Sequence, residues 1–180
     1  GWWERLGIPA VAVPAILASW ERDDFSVYGR FDFAFDSASP PKLLEYNADT
    51  PTALLEAAVV QWFWLQDTRP ASDQFNSIHE RLIAAWQRWG GKALHFSAIK
   101  DHPEDEQTVL YLRDTCEQAG GKTKPVFIED IGWNGEHFTD LDEESVQALF
   151  KLYPWEWMGQ EAFGAHVPHC DTRFLEPPWK

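Results

Sequence analysis

The sequence predicts an α/β fold, a mixed sheet with a β-hairpin and a βαβ unit, covered by helices. Three observations carry that expectation. Two segments of period-two alternation flank the Pro40-Pro41 break. An apolar run, ALHFSAI, is followed by a helical stripe and then by a second apolar run, KPVFIEDI. Elsewhere the apolar residues recur at helical spacing.

From the start, Pro9 and Pro14 divide GWWERLGIPAVAVPAILASWERD into extended or single-turn pieces and a short helix, AILASWERD, with Pro14 near its first turn. Trp2, Trp3 and Trp20 are expected to pack on the aromatic face of the hairpin that follows. In FSVYGRFDFAFD, Phe25, Val27, Phe31, Phe33 and Phe35 share one parity, and Ser26, Tyr28, Arg30, Asp32 and Asp36 share the other. That is the period of a half-buried strand. In KLLEYNAD, Leu43, Glu45, Asn47 and Asp49 fall together, with Leu44, Tyr46 and Ala48 opposite. The loop Ser37 to Lys42 turns the chain back and is too short for a parallel crossover. Pairing Asp32 with Glu45 puts Arg30 opposite Asn47, so carboxylates, an amide and a guanidinium share one face and the aromatics the other.

Thr50 before Pro51 reads as an N-cap with proline at N1. The helix TALLEAAVVQWFWLQD is apolar nearly all round, so deep burial is expected. Asp73 caps the next helix, with Phe75, Ile78, Leu82, Ala85, Trp86 and Trp89 as its buried stripe and Gly90-Gly91 as its end. His79 reads as a boundary residue of that helix, and His95, in the strand ALHFSAI, as satisfied structure. Val109, Leu112 and Cys116 stripe the helix after Lys100, whose first turn carries Glu104, Asp105 and Glu106. With KPVFIEDI this makes a βαβ unit, hence a parallel pair. Asn134-Gly135 marks a tight turn. The last helix is expected over DEESVQALFKLYPWEWMGQEAFGAHV, kinked at Pro154.

The totals limit function. At 180 residues, with 44% hydrophobic and 15% aromatic residues, the chain makes one domain with a full core. Most of its eleven tryptophans sit at helical spacing, which suits a large aromatic core better than a carbohydrate-stacking surface. The formal charge of −14 argues against nucleic acid and anionic membranes as partners. No apolar run reaches the roughly 20 residues of a membrane span, and no signal peptide opens the sequence. Cys116 and Cys170 give no disulfide framework, so the reading is cytoplasmic with free thiols. With no initiator Met and no tail after LEPPWK, a fragment of a longer protein is expected.

The charged hairpin face is the one place where chemistry gathers. Asp32 and Glu45 side by side repel and ask for a cation. Arg30 supplies one; Mg²⁺, which takes carboxylate and amide oxygens, is another. A solvated face balanced by Arg30 alone accounts for the same residues. The start of the next helix aims free N–H groups at the same region, which suits an anionic group. His166, His169 and Cys170 match metal spacing only loosely. P-loop, G-x-G-x-x-G and G-x-S-x-G patterns do not occur.

The segments YGRFDFAFD, PKLLEYNADTPTALLEAAVVQWFWLQD, DQFNSIHERL and LFKLYPWEWM together resemble the C-terminal synthetase module of glutathionylspermidine synthase and its stand-alone bacterial relatives. The resemblance runs through nearly all of the chain. It rests on R-x-D, then E-x-N-x-D-[ST]-P-[ST], then a late Y-P-W-E. It implies the pre-ATP-grasp portion of an ATP-grasp ligase, in which ATP phosphorylates a carboxylate and an amine attacks the acyl-phosphate to form an amide. By the same resemblance Asp32, Glu45 and Asn47 hold Mg²⁺ at the ATP phosphates, and Arg30 contacts substrate or acyl-phosphate. Thr50 and Thr52 lie at the peptide-substrate site, where the synthetase proper has serines, and Glu104 matches a glutamate that also meets the peptide. The implied partners are a small peptide or other carboxylate and an amine such as a polyamine. The family continues beyond the position of Lys180 into lobes that carry the adenine pocket, so these residues alone are not expected to catalyse ligation. Two other readings remain open: a non-catalytic binding module for a small peptide or polyamine, and a purely structural aromatic-rich domain.

Overall fold

A computed structural model of the protein describes every residue except Phe75, so the helical position expected for Phe75 lies outside the described residues. The centre is a four-stranded, all-parallel sheet of β3 (Leu94–Ala98), β4 (Thr123–Phe127), β7 (Ala148–Lys151) and β8 (Arg173–Leu175), in the order β4-β3-β7-β8. The expected βαβ unit is its core: β3, then α5 (Pro103–Gln118), then β4. Two antiparallel ribbons stand apart from this sheet, β1 (Arg30–Ala34) with β2 (Lys42–Asn47), and β5 (Gly132–Trp133) with β6 (Phe138–Thr139) around the Asn134-Gly135 turn.

Both faces of the parallel sheet are covered, as parallel sheets require. On one face α4 (Ile78–Trp89) and α5 bring Leu82, Trp86, Trp89, Val109 and Leu112 onto Phe96 and Phe150. The buried Trp86 indole donates to Thr115 Oγ1 at 2.9 Å, so its one polar atom is satisfied inside the core. On the other face Val126, Ile128, Phe138, Leu149, Met158 and Phe163 form a second cluster.

Four expectations about helices need correction. The predicted long last helix is instead β7 followed by the single-turn α6 (Trp155–Met158). Ala148, Leu149, Phe150 and Lys151 are all buried, because β7 lies between β3 and β8 with packing on both faces; a short apolar run of that kind has no periodicity to separate strand from helix. The helix expected from Thr50-Pro51 starts at Leu54. Ala53 has φ +64°, which breaks the helical path, and a π-helical turn over Glu56–Val60 leads into α3 (Gln61–Thr68). This segment is not deeply buried: Leu54 and Leu65 are, but Val60, Trp62, Phe63 and Trp64 are exposed. Likewise α4 begins at Ile78, after an Asn76 turn in which the Asn76 Oδ1 accepts the Ile78 N–H at 3.0 Å, and not at an Asp73 cap.

The short helices α1 (Trp2–Arg5) and α2 (Val13–Glu21) precede the hairpin, with Pro14 in the first turn of α2 as expected. Trp20 sets its ring edge-on to Trp179 at 5.5 Å and Trp2 lies under Arg5, so neither tryptophan covers the hairpin in the way the sequence suggests. Phe31, Phe33 and Tyr46 are left exposed and pack mainly on one another, with Phe31 stacked on Tyr46 at 4.2 Å. Among the described residues no helix is long and apolar enough to cross a membrane. Both cysteines are free thiols, and burial pushes the Cys116 thiol up to about 11.

Candidate functional site

The parallel sheet has a switch point. From β3 the chain passes to β4 on one side, and from β7 to β8 on the other, so the carboxyl ends of β3 and β7 diverge. A crevice outside such a point is where open α/β sheets take ligands. Here the segment that leaves the hairpin, residues 48–53, is drawn over the carboxyl end of β7. Lys151, the last residue of β7, donates from Nζ to Asp49 Oδ1 at 2.6 Å and to the Tyr153 carbonyl at 3.0 Å, and lies 4.3 Å from the Trp155 ring centroid. The other Asp49 oxygen accepts the Trp155 N–H at 2.9 Å. Burial pushes the Lys151 ammonium below its ordinary value, while the Asp49 charge opposes that shift.

The chain entering the hairpin is fixed by a second buried pair. Glu176 accepts the N–H groups of Val27 and Tyr28, each at 3.0 Å, and the Lys180 ammonium at 2.8 Å; both side chains are fully buried. The Tyr28 hydroxyl donates to the Pro51 carbonyl at 3.3 Å, tying entry to exit. Its phenol is raised by burial and by the charges of Glu176 and Asp105. Gly29 makes this entry possible, since a Cβ there would meet Tyr46 Cε2 at 2.6 Å.

On this base the charged ribbon has the expected register, with Arg30 opposite Asn47 and Asp32 opposite Glu45. Beyond Asp32 the register shifts, so that Leu43 pairs with Phe33 and Leu44 is left over. The shift moves Leu43 from the charged parity to the aromatic one. Arg30 is the hub. Its Nε and Nη2 donate to both Asp32 oxygens at 2.8 and 3.1 Å, its Nη1 donates to Thr52 Oγ1 at 2.7 Å, and its Nη2 lies 3.9 Å from Glu45 Oε1. This fork holds the Asp32 carboxyl below the usual carboxylate range.

Arg30, Asp32, Glu45 and Thr52 are therefore brought together, and Asn47 joins them by register. Thr50 sits half-buried in the same segment. Glu104 is exposed in the first turn of α5, which starts at the carboxyl edge of the sheet next to Asp105. Among the described residues it makes no polar contact with the Arg30 group.

The donor set suits Mg²⁺: two carboxylates and a carboxamide at neighbouring positions of one ribbon face. Arg30 takes both Asp32 oxygens, so an ion here shares Asp32 with it. Among the described residues, no three His, Cys, Asp or Glu side chains form a metal-binding group, at His166, His169 and Cys170 or elsewhere. His79 contacts Tyr111 and Gln118, and buried His95 meets Asp140 at 3.1 Å, in structural roles as expected. The residues that sequence reasoning missed are Lys151, Glu176 and the role of Asp49. Asp49 lies within the E-x-N-x-D pattern, and Lys151 is a charged residue inside an apolar run; each was a signal without a partner to explain it.

Comparison with known proteins bears on this geometry. The family model described as "Glutathionylspermidine synthase preATP-grasp" matches residues 1–180. A putative acid–amine ligase of Haemophilus influenzae is 46% identical over 174 residues, covering 92% of this chain and 44% of the relative. Trypanothione synthetase of Crithidia fasciculata is 28% identical over 167 residues, covering 89% and 26%. A bifunctional glutathionylspermidine synthetase/amidase of Escherichia coli is 26% identical over 156 residues, covering 83% and 25%. The chain thus spans less than half the length of each of these relatives. A match that runs from the first residue to the last, together with the R-x-D and E-x-N-x-D geometry, leads to one conclusion: the chain belongs to the glutathionylspermidine synthase preATP-grasp family.

Proposed function

We propose that residues 1–180 form one domain, the substrate- and Mg²⁺-binding portion of an ATP-dependent carboxylate–amine ligase. In that reaction a carboxylate oxygen takes the γ-phosphoryl group of ATP, releasing ADP. The lone pair of an amine then attacks the acyl carbon, phosphate leaves, and the amine proton passes to solvent or base. The observation that carries the reading is the Arg30 fork, which holds Asp32 and the Thr52 hydroxyl on the same ribbon face as Glu45 and Asn47.

Arg30 presents guanidinium N–H groups where negative charge develops on the transferring phosphoryl group. Asp32, Glu45 and Asn47 hold Mg²⁺, which when bound neutralises phosphate charge. Thr50 and Thr52 offer hydroxyls, and Glu104 a carboxylate, to a peptide substrate. The acid is a small peptide such as glutathione and the amine a polyamine such as spermidine, chemistries that the names of the relatives carry; a chain of formal charge −14 attracts the polyamine cation.

The test uses the full-length polypeptide. Phosphate release is measured with ATP and Mg²⁺, with and without glutathione and spermidine. Release that needs all components and is lost in Asp32→Ala and Asn47→Ala is the expected result. Unchanged release in both variants removes the metal assignment, and no release with any peptide–amine pair removes the ligase reading.

A further inference from the structure

A cleft of about 470 Å³, within the size range of small-molecule sites, lies at the β4 edge of the parallel sheet. It is lined by β4 and by one side of α5, where Glu106, Leu110 and Arg113 follow one another at helical spacing. Its floor is apolar and buried, with Phe96, Val109 and Val126. Leu110 and Leu141 also line it. After Trp64 only three large hydrophobic residues are exposed among the described residues, and these are two of them. The charged ribbon is anchored elsewhere, through Lys151 of β7 and Glu176 beyond β8, and no residue of the Arg30 group lines the cleft.

Backbone geometry limits the kind of ligand. The Leu94 N–H donates to the Lys122 carbonyl at 2.9 Å, so Lys122, Lys124 and Val126 turn their backbone groups toward β3. Thr123, Pro125 and Phe127 turn theirs outward. Pro125 has no N–H at the middle of that edge, which disfavours an added strand and leaves a compact ligand. Charge chooses the sign of that ligand. Four carboxylates line the cleft, Glu106, Asp130, Asp140 and Asp142, against the two cations Arg113 and Lys124. Both cations are engaged, Arg113 by Glu117, and Lys124 by Asp140, Asp142 and Glu144. Asp130 is engaged by Lys100. Glu106 has no ion-pair partner among the described residues, so its carboxylate is the group left for a ligand.

We propose that this cleft binds a small amphipathic amine, with an aromatic or branched aliphatic body on Phe96, Val109, Val126 and Leu141 and one ammonium group at Glu106. The site is separate from the Arg30 ribbon, and the inference does not depend on the ligase reading. A polyamine is a poor match, because its charges recur along the chain and one of them would lie on the apolar floor.

The experiment is isothermal calorimetry on the full-length protein. The probe is phenethylamine, with hydrocinnamate as its anionic counterpart and spermidine as a polyamine. Saturable binding of phenethylamine, no binding of hydrocinnamate and weaker binding of spermidine to the cleft are expected. Glu106→Gln and Leu141→Asn, which change the polar and apolar parts of the cleft separately, are each expected to weaken phenethylamine about fivefold or more. Thermal melts of both variants show that the fold is kept. Asp32→Ala, at the ribbon, is expected to leave phenethylamine binding unchanged. No heat with phenethylamine up to about 10 mM overturns the proposal. So does equal binding of hydrocinnamate, or unchanged affinity in either cleft variant. Spermidine binding that is tighter than phenethylamine binding and is weakened by Glu106→Gln overturns the apolar body. Loss of phenethylamine binding in Asp32→Ala overturns the location, because the amine then sits at the ribbon.

Discussion

Asp49 and Lys151 are 102 residues apart in sequence, and their side chains meet at 2.6 Å. That contact joins the exit of the charged hairpin to the carboxyl end of a central strand. With the fully buried Glu176 and Lys180 at the hairpin entry, this pair of a buried lysine and a partly buried aspartate holds a ribbon that has little other packing. A buried pair is weak evidence for net stability, but breaking one is costly, because the remaining charge is left without its partner. Here each pair also satisfies backbone groups, so the geometry of the site depends on them.

Lys151→Met is expected to lower the unfolding free energy by about 3 kcal/mol, since it strands the Asp49 carboxylate beside an apolar side chain. Adding Asp49→Asn should recover part of that loss, as the two effects are coupled. Urea denaturation of the single and double variants checks both statements. Strictly additive losses would show that the pair does not act as a unit.

Arg30→Ala should separate catalysis from folding. Both oxygens of Asp32 and the Thr52 hydroxyl lose their donor, yet the ribbon face is largely solvent-accessible. In the full-length protein, ligation is expected to fall by about 10²–10³-fold, with the thermal midpoint close to wild type. Arg30→Lys should not restore activity, because one ammonium cannot reproduce the fork. Steady-state kinetics alongside thermal melts is the measurement.

Phe150→Ala tests the strand that the sequence hides. Phe150 is buried between Trp86 and Phe96, with ring centroids at 6.4 and 5.5 Å. The truncation is expected to cost about 3–5 kcal/mol. A solvent-facing helical position would lose far less, so the size of the effect in chemical denaturation tests the assignment of β7.

Asp140 sets an acid limit. Burial alone would raise its carboxyl, but Lys124 at 2.6 Å, His95 at 3.1 Å and the N–H groups of Glu144 and Asp142 outweigh burial and hold it well below the ordinary 3.8. A carboxyl depressed in the folded state contributes stability that is present above its unfolded value and lost as pH falls toward its folded one. Wild type should therefore lose stability below about pH 3.8, and Asp140→Asn should flatten that limb and be less stable at neutral pH. Denaturation midpoints measured across the acid range give the comparison.

Local chemistry was readable from the sequence wherever it depends on spacing alone. Period-two alternation fixed the hairpin and its register at Arg30–Asn47 and Asp32–Glu45, and the order strand, helix, strand fixed the parallel pair β3 and β4. The R-x-D and E-x-N-x-D patterns identified the family and the residues of the charged face. Tertiary structure alone decided the rest. β7 is a strand because neighbours on both sides complete its hydrogen bonds, which four apolar residues do not announce. Leu43 changes faces because one unpaired residue shifts the ladder. The charged ribbon sits over the switch point because Lys151 and Glu176, distant in sequence, supply the buried charges that Asp49 and the backbone at Val27 and Tyr28 need. Periodicity reports which residues share a face; which face is covered, and by what, depends on contacts between segments that no local pattern contains.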